Sequence, residues 1–143
     1  ILINLKILNQ KKFFFFLENK LKKKPSDFDG WMLLARTCYI SGYFQKAELY
    51  YNRALKYFPK NEIILYELAM LKKNTNKLIS ALSILETIYE INPRNLNSIV
   101  LKLEILKVMK NKKLLNVTIE RLKKEKYLNE NELITILEKV NLE

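Results

Sequence analysis

Residues 28–61 read FDGWMLLARTCYISGYFQKAELYYNRALKYFPKN, and this stretch decides the fold. Trp31, Leu34, Ala35 and Cys38 fall at helical spacing on one face of a first helix, and Ala47, Tyr51 and Ala54 on one face of a second. Small residues at Ala35, Ala47 and Ala54 let two helix backbones approach, while the aromatic rings fill the space around them. Gly42 suits a tight turn between the helices, and Pro59, which cannot continue a helix, stops the second. The stretch predicts an antiparallel helical hairpin.

The pattern repeats outward from it. Ala47 and Ala81, Pro59 and Pro93, and Asn61 and Asn95 are each 34 residues apart. A second unit, 62–95, puts Leu65, Leu68, Ala69, Ala81, Leu85, Ile88 and Pro93 in matching places, with Asn76 for the turn glycine, a residue that tolerates left-handed backbone. A third unit, 96–129, keeps Ile99, Leu103, Leu106, Leu115, Ile119 and Leu122 but loses the glycine, alanines and proline, and has Lys102 where a core leucine is usual. It is either a degenerate repeat or one whose register has drifted. A helix from about Asn4 to Lys23, carrying Leu5, Leu8, Phe13, Leu17 and Leu21 and ended by Pro25, is expected to cap one end. Glu130 to Val140, with Leu133, Ile136, Leu137 and Val140, is expected to cap the other. Period and residue types resemble the tetratricopeptide repeat. The resemblance implies an all-α solenoid of antiparallel hairpins, read here as one domain over 1–143 with caps at 1–27 and 130–143.

The net charge of +11 comes from 26 Lys+Arg against 15 Asp+Glu, and would suit a polyanion. The lysines are scattered, however, and the arginines are only Arg36, Arg53, Arg94 and Arg121, whereas nucleic-acid readers lean on Arg forks. Nucleic acid is therefore disfavoured, and an anionic membrane surface or acidic partner stays compatible. With 1 Cys and 0 His, the chain can build no internal disulfide, Cys/His zinc site or His-dependent triad. Asp27 with Asp29 and Glu62 with Glu67 lack a metal-ligand spacing or partner base and read as helix-start charges. The chain is expected not to be an enzyme and to need no metal or cofactor. Cys38 is expected to be a small buried hydrophobe.

Phe13–Leu17, the longest apolar run near the start, is too short to span a bilayer, and no signal peptide is recognisable. A start at Ile1 rather than Met suggests a piece of something longer, with any anchor or export signal upstream. The four rings Phe13–Phe16 cannot share one side of a helix, so one or two should be exposed. Lys20, Lys22, Lys23 and Lys24 suit the negative end of the first helix dipole.

In stacked repeats the first helix of each hairpin lines a concave side. The register assigns to it Asp29, Met32, Arg36, Tyr39 and Ile40, then Ile63, Tyr66, Met70 and Lys73, then Asn97, Val100, Glu104 and Lys107. Met adapts to varied side chains, and Tyr and Arg anchor interfaces, so a peptide or helix is the expected ligand. A clamp for acidic C-terminal peptides would need Lys and Asn where Met32 and Arg36 stand, and is disfavoured.

The stretch from Leu17 to Met70, which opens LENKLKKKPSDFDGWMLLARTCYISGYFQKAELYYNRAL, resembles the periplasmic TPR domain of the cytochrome c maturation subunit of the CycH/CcmI type and its relative in nitrite reductase haem attachment, and the similarity fades in the third unit. The residues concerned are Leu17, Leu21, Pro25, Asp27, Asp29, Gly30, Trp31, Leu34, Ala35 and Arg36, with Cys38 and Tyr39 departing from the usual aromatic. The resemblance implies an apocytochrome c chaperone on the periplasmic face of the inner membrane. Such a domain holds the C-terminal segment of the apocytochrome for the haem-attachment components and has its membrane tether outside this chain. A generic TPR scaffold, cytoplasmic or otherwise, fits the composition as well.

Overall fold

The computed structural model describes residues 2–126 and 128–142, with side chains from residue 5 onward. Ile1, and with it the reading of the chain's start, lies outside the described residues, as do Tyr127 and Glu143. The described residues form eight helices and no strand: α1 (Leu2–Lys23), α2 (Phe28–Ile40), α3 (Phe44–Tyr57), α4 (Glu62–Asn74), α5 (Leu78–Ile91), α6 (Leu96–Val108), α7 (Lys112–Lys124) and α8 (Glu130–Lys139). The all-α class is the one expected. The chain divides into two compact units, 1–64 and 65–143.

Helices α2, α4, α6 and α8 begin at 28, 62, 96 and 130, and α3, α5 and α7 at 44, 78 and 112, so both series advance by 34 residues. The third hairpin therefore keeps the register and has changed only its residue types. Local chemistry sets this frame. Asp27, Asn61, Asn95 and Asn129 precede the four first helices, and each side chain accepts hydrogen bonds from backbone N–H groups of the first turn: Gly30 at 2.9 Å, Ile63 and Ile64 at 3.0 and 3.1 Å, Ser98 at 3.0 Å and Glu132 at 2.8 Å. At Asn129 the Glu132 carboxylate accepts in return from the Asn129 N–H, completing a capping box. The turns are equally regular: Gly42, Asn76 and Lys110 have φ of 79°, 58° and 54°. Only the first is a glycine, so the later two turns carry a side chain in left-handed backbone.

In the first unit α1 packs on α2, and α2 on α3. A Cβ on Gly30 would lie 2.8 Å from Leu21 Cδ2, so the glycine before Trp31 is what lets α1 and α2 approach. The Trp31 indole N–H donates to the Pro25 carbonyl at 2.8 Å, and its ring stacks on Tyr57 with centroids 6.2 Å apart. The face that α1 buries is Phe14, Leu17 and Leu21; of the expected line Leu17 and Leu21 are buried, while Leu5, Leu8 and Phe13 are exposed. The cause is the antiparallel pairing with α2. Lys20 meets Asp27 at 3.3 Å at one end, and Gln10 Nε2 donates to Ser41 Oγ at 2.5 Å at the other. Before Gln10, the described side chains of residues 5–9 are all exposed. Phe15 and Phe16 are also exposed, in line with the expectation for the four-ring run.

In the second unit α6 packs on α5, α7 and α8. Its core joins Ile99, Leu103, Leu106, Leu115, Leu122, Ile136 and Val140. Lys102, in the slot held by Leu34 and Leu68 in the earlier hairpins, is only 17% exposed and donates to the Glu86 carboxylate of α5. A stem that packs and a head that finds an anion replace the leucine.

Candidate functional site

The residues assigned to the binding face behave differently once placed, and each unit is taken by itself. On α2, Asp29, Arg36 and Ile40 are exposed and Tyr39 is half-buried, its ring 5.7 Å from that of Phe44. Met32 is a correction: it is 2% exposed, so its thioether is core and offers nothing to a ligand. The buried arc of α2 takes in Gly30, Trp31 and Met32 as well as Leu34, Ala35 and Cys38, wider than one line of helical spacing. Ile63, on the first turn of α4, is exposed.

In the second unit three predicted residues come together. Lys73 of α4 donates to Glu104 of α6 at 2.5 Å, and Tyr66 is near enough that burial, and then the Glu104 charge, push its hydroxyl pKa up. Met70 is half-buried, one helical turn from both Tyr66 and Lys73. Val100 is a partial correction, since it packs against the core cluster and presents only part of its surface. Asn97 is exposed. Lys107 is turned to a structural task, donating to the Val140 carbonyl at 2.8 Å, at the end of α8 where the helix dipole is negative.

Two polar clasps escaped sequence reasoning. The Tyr50 hydroxyl of α3 donates to Glu18 of α1, and burial, with that carboxylate next, raises the phenol well above its ordinary pKa. Tyr89 of α5 donates to Glu125 at 2.8 Å, while the Arg121 guanidinium lies 4.3 Å from the Tyr89 ring centroid. The partners are 32 and 36 residues apart, close to one repeat period, which is the signal that could have found them.

Cys38 is fully buried, and that burial pushes its pKa up to about 11, so the sulfur stays a thiol. Among the described residues no group of three or more His, Cys, Asp or Glu could hold a metal ion, and no helix is long and apolar enough to cross a membrane.

The tetratricopeptide repeat family model matches residues 28–61. The search of curated proteins found no match. Among solved structures, 54 chains match. One of them, the MamA RS-1 ArsTM double mutant, superposes with a TM-score of 0.56 at 15% identity, covering 97% of this chain and 89% of that one. The fold is thus an all-α tetratricopeptide-type arrangement of helical hairpins, and such a fold suggests a protein–protein interaction domain.

Proposed function

We propose that the chain binds a polypeptide on the face that α4 and α6 present in the second unit. The observation that carries this reading is the row on α4 and α6, where Tyr66 and Met70 present partly open apolar surface beside the Lys73–Glu104 pair. A phenol ring and a thioether give adaptable apolar contact, and the ion pair supplies both signs of charge to orient a peptide backbone or side chain. The reading includes no catalysis.

From the resemblance over Leu17–Met70 we further propose that the polypeptide is the C-terminal segment of an apocytochrome c, received on the periplasmic face of the inner membrane and passed to haem-attachment components. Those residues alone support this finer step. The test is calorimetric titration with apocytochrome C-terminal peptides against scrambled versions. Binding on the order of tens of micromolar is expected, weakened about tenfold by Met70→Ala or Tyr66→Ala. Equal binding of scrambled peptides would sink the apocytochrome reading and leave a generic adaptor; binding indifferent to both substitutions would remove this face from the site.

A further inference from the structure

Helices α1 and α3 of the first unit are tied together at two places. The Phe14 ring meets that of Tyr43 at 6.1 Å, with Lys46 Nζ 5.8 Å from the Phe14 centroid, and one turn further on the Tyr50 hydroxyl donates to Glu18. Beyond these ties the last turn of α1, the start of α2 and the last turns of α3 enclose an open cleft of about 360 Å³. Leu21, Trp31 and Tyr57 give it an apolar wall, and every residue that lines it lies between 18 and 57, inside the chain.

The rest of the lining is charged and one-sided. Lys22, Arg53 and Lys56 stand against one carboxylate, Glu18, which already accepts from Tyr50. Among the described residues none of the three cations forms an ion pair; Arg53 lies only over the Tyr50 ring, 5.8 Å from its centroid. The 34-residue frame supplies an internal comparison. Arg121 holds in α7 the place of Arg53 in α3, and the residue four further on, Glu125, is 3.5 Å from it. Four on from Arg53 stands Tyr57, which brings no charge. In α5 the places of Arg53, Lys56 and Tyr57 are taken by Thr87, Glu90 and Ile91, with no cation at all. Only the first hairpin gathers these cations beside an aromatic wall and leaves them unanswered. Like charges so gathered repel one another, and an anion set among them relieves the repulsion.

We infer that this cleft takes a short acidic segment of a polypeptide, two carboxylates on either side of one apolar side chain. The excess of two positive charges answers two carboxylates, and the planar fork of Arg53 can hold one of them through two hydrogen bonds. Between them the apolar side chain lies on the Tyr57 ring, which is half exposed. A nucleobase finds less there: the Trp31 ring is stacked on Tyr57 at 16° and is 6% exposed, so no indole face is open for a base. The site belongs to the first unit and does not rest on the face of α4 and α6.

The chain has 1 Trp, so the emission of Trp31 reports on this cleft directly. Titrating the 143-residue chain with acetyl-Glu-Phe-Glu-amide should shift that emission with a Kd on the order of 0.1–1 mM. The affinity should fall on going from about 0.1 M to about 1 M salt, as the screening length shrinks from ~10 to ~3 Å. Lys22 and Lys56 are exposed, so the double variant Lys22→Gln, Lys56→Gln should keep the fold and weaken binding about tenfold. Glu18→Gln keeps an acceptor for Tyr50 while removing the opposing charge, and should tighten binding about threefold. A purely structural role for these residues could not produce that gain. No response to the acidic peptide overturns the inference, as does an equal response to acetyl-Gln-Phe-Gln-amide or an affinity that none of the substitutions moves. Tighter binding of inorganic phosphate or of a thymidine octamer than of the peptide overturns it too, giving the cleft to a phosphate group or to nucleic acid.

Discussion

Lys110→Gly should stabilise the chain, although it deletes a side chain and touches nothing in the core. Lys110 is exposed, follows α6 and sits at φ 54°, the left-handed turn conformation. An L-residue in that well suffers a Cβ–carbonyl clash worth about 1–2 kcal/mol, which glycine lacks. Against this, glycine gives the unfolded chain extra freedom worth roughly 0.5–1 kcal/mol. The difference leaves a net gain of about 0.5–1 kcal/mol, a rise in urea midpoint of roughly 0.3–0.5 M for a slope near 2 kcal/mol per M. Far-UV circular dichroism against urea measures it, with Lys110→Ala as the control that removes the side chain and keeps the strain. The equivalent turn gives the opposite sign. A Cβ on Gly42, at φ 79°, meets nothing within 4 Å, so Gly42→Ala should lose about 1 kcal/mol through backbone strain alone. If Lys110→Gly gains no more than Lys110→Ala, turn strain is not what distinguishes these positions.

Three further outcomes follow from the packing. The Asp27 pKa is lowered, chiefly by the Gly30 N–H it caps and then by Lys20, so its contribution is present above the ordinary carboxylate value of 3.8 and is lost as pH falls through the lower folded value. Acid titration of Asp27→Asn should show less loss of stability in that window, and an unchanged acid profile would count against the cap. Glu86→Ala should cost about 1 kcal/mol by leaving the Lys102 ammonium without its anion, while Lys102→Leu, restoring the residue type of Leu34 and Leu68, should be neutral or stabilising in thermal melts. Tyr50→Phe should lose about 1–2 kcal/mol because the Glu18 carboxylate forfeits its donor at a part-buried site, and a value near zero would mean that water replaces the phenol there.

The hairpins were legible because their determinants are local. Helical spacing of Trp31, Leu34, Ala35 and Cys38, the turn at Gly42 and the stop at Pro59 each depend on a few neighbouring residues, and α2 and α3 form where they predict. The Asn61 and Asn95 pair held more than was drawn from it, since Asp27 and Asn129 continue the same step and set the starts of α2 and α8. The candidate face was legible only in part. Tyr66, Lys73 and Glu104 do converge, but Met32 is core and Lys107 caps α8. Register orders positions around a helix without saying how wide an arc its neighbours cover.

What the amino-acid sequence determined alone is the frame: where helices start, turn and stop, because caps, left-handed turn residues and prolines act within one turn of backbone. What only the tertiary structure decided is which side chains remain available. Phe14 rather than Phe13 is buried, Lys102 finds Glu86, and Leu137 lies half-open where Ala35, Ala69 and Leu103 are sealed. Burial is a property of what lies across the gap, and a helix cannot specify its own partner.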